Sequence, residues 1–123
     1  SQALCKAAAY AAKEVLTEKV AVFTESGLMA RRLSSVRSGL QTFGLTTSQD
    51  ACNQLALIWG VQPFVHEVPW ATQEMLKIGE RKLLEANVVS AGETIIMMAG
   101  RLSGLGLSSS VVVWTIGADI THR

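Results

Sequence analysis

One run of residues restricts the fold more than any other. Val20-Ala21-Val22-Phe23 is apolar at every position and passes directly into Thr24-Glu25-Ser26-Gly27. A strand that is apolar on both faces belongs in a sheet covered on both sides, which is the habit of parallel sheets. The turn after it is small and polar, and Leu28, Met29, Ala30 and Leu33 then recur at the spacing of a helix face. Strand, small turn and helix N-terminus together suit an anion. The first helical amides have no partner inside the helix, and the helix dipole favours negative charge there.

The rest of the chain repeats the alternation. Helical spacing predicts a first helix over 1–17, with Ala3, Leu4, Ala7, Ala8, Ala11, Ala12, Val15 and Leu16 on its apolar face. The first strand is expected over 19–24 and the second helix over 26–35, with Arg31 and Arg32 outward. A second strand is expected over 40–46. Thr47 and Asp50 have capping-box spacing for a third helix, from which Leu55, Ala56, Ile58 and Trp59 point inward and at whose end Gly60 sits. The third strand, 61–65, contains Pro63 and is therefore placed at a sheet edge. Thr72 opens the fourth helix, with Met75, Leu76, Gly79, Leu83 and Ala86 inward and Asn87 at its end. Strands over 93–99 and 110–116 complete the series. Strand–helix alternation argues for a parallel α/β sheet with helices on both faces. The last connection is too short for a parallel crossover, so the fifth strand is expected antiparallel to the fourth.

A chain of 123 residues, 49% of them apolar, can bury one core, and a single domain over 1–123 is expected. A net charge of +1 with dispersed charges leaves no basic stripe for nucleic acid. The longest apolar runs, near 94–99 and 111–116, fall well short of the roughly 18 residues of a membrane helix. No signal-peptide pattern stands at the N-terminus, so no membrane association and a cytoplasmic location are expected. Cys5 and Cys52 have no CxxC spacing and read as two reduced thiols, with a disulfide as the alternative. His66 and His122 are isolated, and no catalytic triad, carboxylate pair or metal cluster stands out; no catalytic residue is assigned. Trp59, Trp70 and Trp114 read as core or interface residues.

Ligands of open α/β sheets bind beyond the carboxyl ends of the strands, where strand order reverses. With strands one and four as central neighbours, two loops converge there, 24–27 and 100–110. The first supplies Thr24, Glu25, Ser26 and Gly27. The second supplies Arg101, Ser103, Gly104, Gly106, Ser108 and Ser109. Hydroxyls, free amides and a guanidinium suit phosphate oxygens. Plain turns and a simple helix cap are the other reading of both loops, and Glu25 works against an anion. Neither loop is a P-loop.

These residues resemble the C-terminal domain of pyruvate kinase over nearly the whole chain. The resemblance is carried by Val20-Ala21-Val22-Phe23-Thr24-Glu25-Ser26-Gly27, by Ala30-Arg31, Leu33-Ser34 and Arg37, and by Leu55-Ala56-Leu57 with Gly60-Val61 and Pro63. Gly92-Glu93-Thr94 and Ser103-Gly104-Leu105-Gly106 complete it. It implies a three-layer α/β/α sandwich with a mixed five-stranded sheet, order 3-2-1-4-5 and strand five antiparallel. It also implies a parent enzyme that transfers phosphate from phosphoenolpyruvate to ADP with magnesium and potassium, using a barrel domain absent from this chain. This piece alone is expected to be inactive and to hold no cofactor. In allosteric members the two loops hold a sugar-phosphate effector, so a sugar phosphate or nucleotide monophosphate is the expected ligand. Thr24, Ser26 and Gly27 match that pattern. Glu25 stands where effector-responsive eukaryotic members tend to carry a basic residue, and Met29 where a hydroxyl is common. Ser108-Ser109-Ser110 replaces a frequent Thr-Asn-Thr, and Arg37 lacks the usual following proline. These departures weigh against fructose 1,6-bisphosphate and not against the fold. The other family role is assembly: a homo-oligomer formed through the strand 111–116, in a module that has lost its effector.

Overall fold

The strand β1 (Lys19–Phe23) lies at the centre of a five-stranded sheet. The computed structural model describes residues 2–24, 28–36, 39–58, 60–66, 72–99 and 110–117. A helix α1 (Gln2–Glu14) precedes β1, and α2 (Leu28–Val36) leads from it to β2 (Gln41–Thr46). Then come α3 (Gln49–Leu55), β3 (Val61–Val65), α4 (Thr72–Glu85), β4 (Thr94–Ala99) and β5 (Ser110–Thr115). The strand order is β3-β2-β1-β4-β5, with β1, β2, β3 and β4 parallel and β5 antiparallel to β4. This is the sheet that strand–helix alternation and the short last connection imply.

Alternate strand residues face two separate cores. Val20, Val22, Ile96 and Met98 pack with Cys5, Ala8 and Ala12 of α1, Ala30 and Leu33 of α2, and Leu55 of α3. Ala21, Phe23, Phe43, Leu45, Ile95 and Met97 pack on the other side, against Met75, Leu76 and Leu83 of α4. Three helices cover one face and α4 covers the other. Such two-sided burial is why β1 is apolar from Val20 onward and β4 from Ile95 onward. Pro63 lies on β3, at one edge of the sheet, where its missing N–H costs no ladder bond.

Several local expectations need correction. The inward stripe of α1 is Cys5, Ala8 and Ala12, whereas Ala3, Ala7, Val15 and Leu16 are exposed. With alanines at so many positions, apolarity alone does not fix the register. The helix stops at Glu14, because Leu16 turns into the left-handed region at φ 59° and is 92% exposed. The cap of α3 is Ser48 and not Thr47: its hydroxyl accepts from the Ala51 amide at 3.1 Å. Ser48 is held in turn by its own amide, which donates to Thr46 Oγ1 at 3.2 Å. Ala56 and Ala86 lie just past the ends of α3 and α4 and are exposed. Gly60 does take the left-handed conformation, at φ +83°, and Asn87 takes it after α4, at φ 60°. Both cysteines are free thiols, and burial pushes the Cys5 thiol up from its ordinary range. Trp59, Trp70 and His122 lie outside the described residues.

Candidate functional site

The register of the sheet defines one candidate site. Phe23, the last residue of β1, is paired with Ala99, the last residue of β4. The chain therefore leaves both strands side by side, at the same end of the sheet. From β1 it turns to β2 and β3 on one side, and β4 and β5 lie on the other. This is the switch point at which open α/β sheets bind ligands.

Of the ten residues expected there, the structure places Thr24. It is buried, and its amide continues the ladder to the Leu45 carbonyl at 2.9 Å. Its position is thus fixed by the sheet itself. Glu25, Ser26, Gly27, Arg101, Ser103, Gly104, Gly106, Ser108 and Ser109 lie outside the described residues.

Beneath this end sits a tightly packed group. The Phe23 ring meets His66 edge-on, with centroids 5.8 Å apart. His66 follows β3 directly and is buried, its amide donating to the Thr46 carbonyl at 2.9 Å. It is thus a buried strand-end residue. Gly79 of α4 also lies against the Phe23 ring. A Cβ there would stand 2.5 Å from the ring's Cζ, so only glycine lets the helix approach this closely. Phe23, His66 and Gly79 thus form a closely packed group at this end of the sheet.

The opposite end of the sheet is fastened by charge. Lys19 Nζ lies 2.6 Å from Glu93 Oε2 and donates to the Val88 carbonyl at 2.7 Å. Glu93 Oε1 accepts from the Ser90 amide at 2.9 Å. The Lys19 ammonium, aided by that amide, holds the Glu93 carboxyl below its usual range against the opposing effect of burial. Glu80 on α4 forms another polar anchor. Its Oε1 accepts from Trp114 Nε1 at 2.6 Å, and its Oε2 accepts from the Gly117 amide at 3.0 Å. Sequence reading missed Glu80, because its partners lie 34 and 37 residues further along the chain. Trp114 is buried, as expected of a core residue.

Among the described residues no group of three or more His, Cys, Asp and Glu could hold a metal ion. No described helix is long and apolar enough to cross a membrane.

A mixed sheet wound in both directions from its central strand, with helices on both faces, defines a doubly wound α/β domain. The chain belongs to the family described as pyruvate kinase, alpha/beta domain, which matches it over residues 2–113. It is 29% identical over 106 residues to pyruvate kinase of Lactococcus lactis, covering 86% of this chain and 21% of that protein. It is also 29% identical over 115 residues to pyruvate kinase of Staphylococcus aureus, covering 93% of this chain and 20% of that one. The solved structure of Cryptosporidium parvum pyruvate kinase in complex with ADP has the same fold, with a TM-score of 0.76 at 18% identity. That match covers 94% of this chain and 23% of that one. The chain thus spans about a fifth of the length of the relatives it matches.

Proposed function

We propose that this chain serves a pyruvate kinase as its C-terminal regulatory domain, binding a phosphorylated metabolite between loops 24–27 and 100–110. The parent enzyme would transfer phosphate from phosphoenolpyruvate to ADP, with the catalytic groups supplied by its barrel domain. The observation that carries the ligand site is the pairing of Phe23 with Ala99, which starts both loops side by side. Thr24, Ser26 and Gly27 would bring hydroxyls and amides to a phosphate, and Arg101 a bidentate guanidinium. Glu25 selects against a ligand with more negative charge than the site can offset, which favours a monophosphate over a bisphosphate.

Isothermal titration calorimetry with fructose 1,6-bisphosphate, a ribose or hexose monophosphate, and AMP tests this. Saturable heat with one of them, lost in Ser26→Ala, supports the site. Silence with all of them at high protein concentration refutes it.

A second reading, assembly, is favoured by a different observation. The two sheet edges are unlike. β3 carries Pro63, which blunts an edge, whereas β5 reads Ser-Val-Val-Val-Trp-Thr with no charge and no proline, and its Val113 is 51% exposed. A two-fold copy would cover such an edge with an isologous contact. Sedimentation of the purified chain distinguishes a self-associating module from a monomer.

A further inference from the structure

The edge strand β5 is not held by its ladder with β4 alone. Its exit is gripped from below by one carboxylate. Glu80 of α4 accepts the indole N–H of Trp114 at 2.6 Å through one oxygen and the Gly117 amide at 3.0 Å through the other. The two donors are three residues apart, one in the strand and one in the turn that leaves it. Between them, the Ile116 amide donates to the Glu93 carbonyl at 2.7 Å, and the Ile116 carbonyl accepts from Gly92 at 2.7 Å. Gly117 sits at φ +82°, and a Cβ there would lie 3.3 Å from Ala91 Cβ. Hydrogen bonds to a charged acceptor are the strong kind, and a bidentate pair fixes direction as well as distance.

The two faces of the strand pack against different layers. Val112 and Trp114 pack in the core under α4, and Val111 packs with the core under α1. Strand alternation then directs Val113 to the α1 side, where it remains half exposed. Trp114 is the largest side chain in the strand, and its anchored indole belongs to the residue next to Val113. Since β5 carries no charge, a two-fold copy laid antiparallel on it meets no like charge.

We propose that Glu80 is a positioning residue for self-association: by clamping Trp114 and Gly117 it presents the β5 edge in the one geometry that a second copy of this chain can pair with. The inference rests on the assembly reading above and adds to it the residue that sets the edge.

The test is sedimentation velocity on wild type, Glu80→Ala, Glu80→Gln and Ser48→Ala, well below their melting temperatures, with hydrogen exchange at the Gly117 amide. Ser48→Ala removes a helix cap on α3 and controls for a loss of stability that leaves β5 untouched. The expected result is a self-associating wild type, a dimer weakened about tenfold or more in Glu80→Ala, and an unchanged dimer in Ser48→Ala. Glu80→Gln keeps one acceptor oxygen and should fall between. It also supplies the comparison if Glu80→Ala fails to fold. Gly117 exchange should quicken in step with the loss of dimer. A wild type that stays monomeric overturns both the assembly reading and this proposal. A wild type that dimerises, with Glu80→Ala and Glu80→Gln dimerising equally well, overturns the role of Glu80 alone.

Discussion

Gly79→Ala puts the packing under the candidate site to a quantitative test. In an exposed helix this change stabilises by about 1 kcal/mol, because alanine loses less backbone freedom on folding. Here the added Cβ would lie 2.5 Å from Phe23 Cζ, 3.0 Å from Cε1 and 3.5 Å from Cε2. Carbon atoms attract best at about 3.5–4.0 Å, so the first contact lies about 1 Å inside that distance. The ring has little room to retreat, since Phe23 is 1% exposed and meets His66 edge-on. Overpacking of this kind costs about 1–3 kcal/mol. Set against the helix gain, the net expectation is a loss of about 1 kcal/mol, or roughly 4 °C in melting temperature for a chain of this size. Urea unfolding followed by far- and near-UV circular dichroism measures it. The double variant Phe23→Leu with Gly79→Ala should cost less than the sum of the two single changes, because the smaller side chain accepts the methyl. A single Gly79→Ala that is more stable than wild type by about 1 kcal/mol, the value for an unobstructed helix glycine, would refute the close approach.

Three further expectations follow from the same packing. Leu83→Ala empties a fully buried position of the core under α4 and should cost about 2–5 kcal/mol by urea unfolding. Leu16→Gly should stabilise by up to about 1 kcal/mol in the same assay, because Leu16 is left-handed and 92% exposed and has little packing to lose. Glu93 is held below its usual carboxylate range, so its contribution is present at neutral pH and is lost as pH falls through that lowered value. Lys19→Met should therefore flatten the acid limb of the stability–pH curve. The difference should stay below about 1 kcal/mol, since the paired side chains are 22% and 31% exposed. An unchanged acid limb would mean that the ion pair does not set the Glu93 carboxyl.

Long-range topology was legible in the sequence where burial imposes a pattern. β1 and β4 are apolar on both faces because both are central, and Pro63 marks an edge because a central strand could not spare its N–H. Short-range detail was less legible where chemistry is degenerate. Thr47 and Ser48 both offer a hydroxyl, and only the backbone decides that Ser48 is the cap. In α1, the many alanines hide which face of the helix is inward. The anchors Lys19–Glu93 and Glu80–Trp114 have no local signature at all, since each joins residues brought together only by the finished sheet. Of the candidate ligand site, the sequence could supply residue types and the sheet register could supply convergence. Thr24 is the one expected ligand residue whose place is fixed by described structure.

Gly79 and Glu80 are consecutive, yet they serve opposite parts of the molecule. Successive residues on a helix point about 100° apart. One therefore rests on the Phe23 ring while the next reaches Trp114 and Gly117 at the far edge strand. A roll of α4 about its own axis that eased the first contact would drag the second, and the reverse holds equally. Through two consecutive residues, α4 thus touches both the C-terminal end of β1 and the exit of β5.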